Sequence, residues 1–420
     1  MLANVDPDYP EAPAFDAGRI DRAALAGRRF LIVSAPFGPF GNVFASVLRS
    51  AGADVSRMLF NAGDELDWKG DGAIRFKGIA ADWADVYAGL AEAFTDVIVF
   101  GEGGDYNQAV LTSPRSDTRT VWVLENGYFR PDWVTIERNG VNASSGLPRH
   151  RDAYGVPAPD TPVTRSVGKI LPHHVVNISR YYLIQLPGRL LYPRYVAPFT
   201  QPPWRQCAGH IGRYFSLALM PPSRSDAGRI AARGPFFIAC LQREGDAQLL
   251  RYSPFSDNTA FLERVMDSFS AHAPADARLV VKNHPLDPGL VNLNRATRKL
   301  AKARGLADRV DFIDGGNLAQ LCRASRGMVV NNSSAALSAL GFGTPVKVLG
   351  EAFFDFDGLT DQAPLDAFWV APAQPDADLF QRFRAHVIRR TQVNGNFHEP
   401  RSQRPTAQAL ARALALPGRV

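Results

Sequence analysis

The feature that most restricts the fold is a regular alternation of short apolar runs with stretches of helical spacing, repeated in two halves of the chain. In the first half an apolar run at 29–34 is followed by a tight loop with Pro36, Gly38, Pro39 and Gly41, then by helical spacing at 43–50 and a second apolar run at 53–60. That order predicts a βαβ unit. A helix at 82–94 feeds a strand at 96–100, a polar glycine loop fills 101–108, and a strand at 120–124 ends in Glu125, Asn126 and Gly127. Beyond a Pro-rich junction at 221–235 the second half predicts strands at 236–241, 278–282, 310–313, 327–330 and 346–349, alternating with helices at 260–271, 293–303, 318–324 and 334–340.

Strict alternation calls for parallel sheets with crossover helices on both faces. The expected fold class is therefore α/β, with two doubly wound Rossmann-like domains facing a crevice, as in the GT-B architecture. Ligands in such sheets bind at the carboxyl ends of the strands. Composition agrees: 420 residues with 46% hydrophobic and 21% charged positions bury a large core and exclude a disordered or fibrous chain. No apolar run approaches the ~18 to 20 residues that span a bilayer. Asp6, Asp8 and Glu11 precede the first apolar run, the reverse of a secretory signal, so a cytoplasmic chain is expected. Cys207, Cys240 and Cys322 are far apart and read as core thiols, with neither a disulfide framework nor a zinc cluster.

The net charge of +6 is unevenly spread. Residues 161–225 contain no acid but eight basic groups, among them Lys169, Arg180, Arg189, Arg194, Arg205, Arg213 and Arg224. Residues 381–420 set eight arginines against Glu399. The first window also carries Tyr181, Tyr182, Tyr192, Tyr195, Phe199, Trp204 and Tyr214, a mixture that suits an anionic membrane surface or equally a solvated basic face. No recognised nucleic-acid module accompanies the charge, so nucleic acid is not an expected partner.

Two elements point to chemistry. The strand at 278–282 delivers Asn283, His284, Pro285 and Asp287 to the carboxyl edge, with Pro285 stiffening the turn. The strand at 327–330 runs through Asn331 and Asn332 into Ser333 and Ser334, at the start of a helix. Hydroxyls and unpaired N–H groups there suit an anion, although serine also caps helices without any ligand. On neighbouring strands, His284 and the serines would meet one phosphate, and the imidazole would donate as charge develops on it. Gln242 follows the strand at 236–241 and is a candidate substrate contact; Asp314 ends the strand at 310–313, at a ribose or in a turn. Gly38 permits close backbone approach to a ligand or simply forms its loop. Asp355 and Asp357 look like a metal clamp but lie in a turn, so neither a metal nor a separate cofactor is expected.

Four segments resemble the capsule polysaccharide biosynthesis/export proteins of the KpsS/LipB type, in order over about 30–365: IVSAPFGPFGNVFASVLRSAGADVSRMLFNAGDELDW at 32–68, LENGYFRPDWVTIERNGVN at 124–142, VKNHPLDPG at 281–289 and VVNNSSAALSALGFGTPVKVLGEAFFDFDGLT at 329–360. The H-P and paired-serine elements are similar to those with which bacterial sialic acid and Kdo transferases bind the CMP leaving group. The resemblance implies a retaining transferase moving Kdo from CMP-Kdo to a phosphatidylglycerol-type lipid, or its Kdo-extended form, peripherally at the inner face of the inner membrane, with other capsule assembly proteins as candidate partners. It divides the chain into a catalytic and acceptor domain at 1–225, a nucleotide-sugar domain at 226–370 and a basic tail at 371–420. His284, Pro285, Asp314, Ser333 and Ser334 would hold the nucleotide, with His284 also catalytic. Retention by double displacement calls for a carboxylate, for which Glu125 is the first candidate and Glu102, Asp105 and Glu137 are reserves. Gly38, Asp105, Asn126, Arg130, Glu137 and Gln242 are candidate sugar contacts; Arg130 would hold a carboxylate bidentately, or pair with Glu125 or Glu137. Relatives often carry a second acid where this chain has Asn126, which leaves open a non-catalytic capsule assembly or export component. A transferase using CMP-sialic acid or a CDP-polyol is the third reading.

Overall fold

The computed structural model describes residues 20–155, 163–197, 203–219 and 226–416. Asp6, Asp8, Glu11, Phe199, Arg224 and the first part of the junction, 221–225, lie outside them, as do the side chains of Cys207 and Tyr214. The described strands are β1 (Arg29–Ile32), β2 (Asp54–Leu59), β3 (Ala73–Arg75), β4 (Asp96–Phe100), β5 (Thr120–Asn126), β6 (Trp133–Arg138), β7 (Phe236–Cys240), β8 (Arg278–Lys282), β9 (Val310–Ile313), β10 (Gly327–Val330), β11 (Val346–Val348) and β12 (Gln392–Asn394).

They form two sheets, each in its own compact unit. The first sheet runs β12-β6-β5-β4-β1-β2-β3, parallel from β5 to β3, with β6 and β12 added antiparallel at one edge. The second runs β11-β10-β7-β8-β9, parallel throughout. Both share one winding: the earliest strand is central, the next two lie on one side and the following two on the other. These are two doubly wound Rossmann-like units, the components of a GT-B-like fold. Their topological switch points fall between β1 and β4, and between β7 and β10.

The winding follows from the sequence pattern. In β1, Phe30 and Ile32 enter one core with Phe44 and Trp122, while Leu31, with Val33 just beyond the strand, enters another with Trp83 and Val99. A strand apolar on both faces must be covered on both, which parallel crossovers achieve. All of β7 is buried, and Phe237, Phe261, Phe269 and Trp369 gather around it. Cys240 and Cys322 are core residues as expected, and burial pushes their thiols up to about 11 and about 12.

Several elements differ from expectation. The glycine loop after β4 is short: Gly104, at φ 80°, leads directly into the helix Asp105–Thr112. The residues read as a separate basic tail are structural. β12 pairs with β6, and the helix Pro400–Ala415 buries Leu410, Ala411 and Leu414 in the core shared with the helix Phe40–Ser50. The first unit accordingly gathers 20–147, 163–197 and 385–416; the second gathers 148–155, 203–219 and 226–384. One border near 225 does not describe this, because the helix Ile170–Gly188 packs with the first unit and the helix Pro203–Leu219 with the second. Two glycines permit the first of these dockings. A Cβ on Gly63 would stand 2.4 Å from the Tyr181 ring, and one on Gly188 2.2 Å from the Ala62 Cβ. No helix among the described residues is long and apolar enough to cross a membrane.

Candidate nucleotide-binding site

The loops after β8, β7 and β10 leave the second sheet at one edge. Ladder register sets both Lys282 and Val330 level with Cys240, so the His284 and Ser333 loops emerge at the same height. They are not on neighbouring strands, as the sequence had suggested; β7 lies between them, and two strand spacings separate their origins by about 9.5 Å.

The loop after β8 fixes its histidine. The Leu286 N–H donates to His284 Nδ1 at 3.1 Å, and the Asn283 side chain accepts from the His284 N–H at 2.9 Å. With Nδ1 accepting, the neutral ring carries its proton on Nε2. Arg213, from the helix Pro203–Leu219, holds the same loop. Its guanidinium donates to the carbonyls of His284 at 3.0 Å, Pro285 at 2.9 Å and Asp287 at 2.5 Å, and forms a two-pronged pair with Asp314 at 2.9 and 2.5 Å. Asp314, expected at a ribose, thus gives both carboxylate oxygens to Arg213 and belongs to the loop clamp. Pro285 is exposed and its carbonyl is part of the same clamp. The sequence had placed Arg213 only within a basic window. Nothing local marks it, because its partners lie 71 to 101 residues further along.

Ser333 and Ser334 are half-buried at the tip of β10. Ser333 Oγ accepts the Ala335 N–H at 3.3 Å, whereas Ser334 makes no capping bond through its side chain. The two serines therefore differ: one hydroxyl is tied to the helix start and the other is not. Below them Gln242, expected to touch substrate, is buried and acts as a brace. Its amide donates to Asn332 Oδ1 at 2.7 Å and accepts from Asn331 Nδ2 at 2.8 Å. On the other side of the same loop the Glu244 N–H donates to Asp287 Oδ2 at 3.1 Å. The loop after β7 is thereby tied to the serine loop and to the histidine loop. Asp355 accepts from the Thr360 hydroxyl within the turn, and Asp357 pairs with the distant Arg151.

In the first unit Glu125 closes β5, half-buried, with Oε1 accepting the Asn126 N–H at 2.9 Å and lying 3.4 Å from the Asn126 side-chain amide. Its Oε2 lies 3.0 Å from where a Cβ on Gly101 would be, so it borders the loop at the β1/β4 switch point. That loop is rigid: Ser34 Oγ donates to Asn107 Oδ1 at 2.7 Å, and Asn107 Nδ2 donates to the carbonyls of Phe100 and Gly101. Asp105 is exposed at the start of its helix. Arg130 is exposed, donates to the Gly127 carbonyl at 3.3 Å and, among the described residues, forms no ion pair. The alternative pairing with Glu125 or Glu137 is therefore absent here.

The two remaining acids face inward. Glu102 accepts from the Val141 N–H at 2.8 Å, and Glu137, fully buried, accepts from the hydroxyls of Tyr128 and Ser145. Burial raises the Glu137 carboxyl to about 7, opposed by the Ser145 and Tyr128 hydrogen bonds, with the Glu102 charge adding to the rise. A carboxyl so enclosed anchors the 140–147 loop, which corrects its expected place at a sugar. Gly38 is likewise explained within the chain: at φ 98° its missing Cβ leaves room for Asn177, 2.5 Å away, and its N–H donates to Asp67.

Two doubly wound sheets with braced polar loops at the carboxyl edge define the class as a Rossmann-like α/β protein. The profile of the capsule polysaccharide biosynthesis protein family matches residues 95–398. Among similar proteins, the capsule polysaccharide export protein KpsS of Escherichia coli is 30% identical over 384 residues, covering 89% of this chain and 98% of that protein. The capsule polysaccharide modification protein LipB of Neisseria meningitidis serogroup A is 31% identical over 395 residues, covering 89% and 92%. The chain belongs to the capsule polysaccharide biosynthesis protein family. Of solved structures, the β-Kdo 2,7 transferase of Thermosulfurimonas dismutans KpsC aligns over 85% of this chain and 89% of its own at 14% identity and a TM-score of 0.41.

Proposed function

We propose that the chain is a retaining glycosyltransferase that moves Kdo from CMP-Kdo to a phosphatidylglycerol-type lipid, or to its Kdo-extended form, at the inner face of the inner membrane. The observation that carries the proposal is the braced edge of the second unit. An imidazole held as the Nε2–H tautomer by Leu286 and two hydroxyls at the tip of β10 flank one strand end. About 9.5 Å between the loop origins leaves room for a phosphate between an inward-reaching imidazole and a hydroxyl.

In this role His284 Nε2–H donates to the phosphate as the sugar–phosphate bond breaks and the electron pair passes to CMP. Ser333 and Ser334 hydrogen-bond the same group, and Arg213, Gln242 and Asp287 keep the loops in place. Such donors neutralise the leaving group without a cation, so metal independence is part of the proposal. Glu125 is the nucleophile, forming a glycosyl ester; an acceptor hydroxyl then attacks the same carbon, Glu125 leaves as the carboxylate and the hydroxyl proton passes to water. Arg130 supplies a guanidinium for the sugar carboxylate.

A second reading, a capsule assembly or export component without turnover, is favoured by Asn126, a neutral amide beside Glu125 where a second acid would serve. The name of the Escherichia coli relative, an export protein, points the same way. Incubation of the purified protein with CMP-Kdo and a lipid acceptor decides between them. Transferase activity releases CMP and Glu125→Gln abolishes release while sparing CMP binding; release at background by the wild type supports the second reading.

A further inference from the structure

The helix Ile170–Gly188 has its polarity reversed relative to an ordinary surface helix. Its inward face makes polar contacts and packs closely. His174 Nδ1 meets His398 Nε2 at 3.0 Å, Tyr181 accepts from Asn61 at 2.7 Å, and Gly188 abuts Ala62. Its outward face is mainly apolar, broken by Ser179 and Arg180. Val176, Leu183 and Leu186 follow one another at helical spacing, Leu190 continues the row into the next turn, and they are 55%, 69%, 61% and 89% exposed. A coherent apolar stripe is a contact surface, since single exposed leucines are ordinary but aligned ones are not.

The charges beside it indicate what it contacts. Arg180 and Arg189 are exposed along the stripe, and the described stretch of the first unit that carries it, 163–197, holds no acidic residue; the acids of the helix Ala62–Asp67 packed against it are buried or half-buried, with Glu65 paired to Arg75. A protein partner of mixed charge gains nothing from so one-sided a border, whereas an anionic bilayer is matched by it: aliphatic side chains enter the acyl boundary and guanidinium groups stay at phosphate depth.

We propose that this stripe seats the first unit on an anionic lipid surface, with the helix lying in the plane of the interface. The proposal deepens the membrane location given above by naming the face and the lipid charge it requires, and it does not depend on the identity of the sugar donor.

Sedimentation with vesicles tests it, using phosphatidylcholine alone and phosphatidylcholine mixed with phosphatidylglycerol. The wild-type chain should pellet with the mixed vesicles at low salt, and binding should decline as salt rises through the screening range. Leu183→Glu/Leu186→Glu should weaken it at least tenfold, and Arg180→Gln/Arg189→Gln should remove the preference for phosphatidylglycerol. The substituted side chains are exposed, so the circular dichroism melt should not change, and neither variant should alter CMP affinity. No pelleting of the wild type, or equal pelleting of the leucine variant, overturns the proposal. So does conversion of a wild-type dimer to a monomer by the leucine substitutions with vesicle binding retained, which would assign the stripe to a second copy of the chain. Vesicle binding without CMP binding would overturn the transferase reading and leave the lipid face intact.

Discussion

At the scale of single residues, the most unusual group is Glu137, an acid enclosed with no solvent contact and titrating near 7. Its folded-state pKa lies above the unfolded value, so the native state holds a proton that the unfolded chain gives up between about pH 4.5 and 7. Stability from this carboxyl is therefore full below that window and is lost as pH rises through it, about 3 kcal/mol in all. Glu137→Gln should gain stability relative to wild type between about pH 5 and about pH 8, read as a growing difference in urea midpoints. A difference that stays constant with pH would contradict the protonated native state. Residue roles were unevenly legible in the sequence. His284 and the serines stand at strand ends, where the sequence places them, while Gln242 and Asp314, read as ligand contacts, brace loops. Distant partners decide such roles, and local sequence does not carry them.

At the scale of elements, the strands that were legible are those with mainly apolar runs. β4, β8, β9 and β10 begin and end where the sequence placed them, because each is bounded by polar residues or glycine. β3 and β12 were not legible: three residues each, outside the strand–helix alternation that marks the equally short β11, show no period, and β12 exists through pairing with β6. The helix Pro203–Leu219 was hidden by its glycines and by a charge pattern that suggested an exposed surface. Its importance lies in Arg213, whose side chain is nearly buried against three carbonyls and Asp314. Arg213→Met should cost about 3 to 5 kcal/mol in unfolding free energy, as for removal of one partner from a buried pair. It should also weaken CMP binding with His284 still present. Arg213→Lys keeps the charge but loses the planar fork, and should restore stability better than it restores CMP affinity. Equal recovery of both would show that the clamp only holds the helix and does not position the loop.

At the scale of the whole molecule, the chain builds the same winding twice and uses the two copies differently. The first unit buries Glu102 and Glu137, keeps Glu125 beside the β1/β4 switch, and carries the outward apolar helix. The second concentrates an imidazole, hydroxyls and a network of amides at one edge, with Arg213 and Asp314 beneath. Two α/β halves were evident from alternation alone; the interleaving of segments between them was not, since it depends on which sheet each long helix and the last forty or so residues pack against. The central claim is that the β8 and β10 tips of the second unit bind cytidylate together. Calorimetric titration of CMP into the wild type, His284→Ala and Ser333→Ala/Ser334→Ala is the most direct test. The account predicts one site in the wild type and affinity lower by tenfold or more in each variant, about 1.4 kcal/mol per factor of ten. Wild-type affinity in the His284 variant, or no CMP binding by the unsubstituted chain, would contradict it.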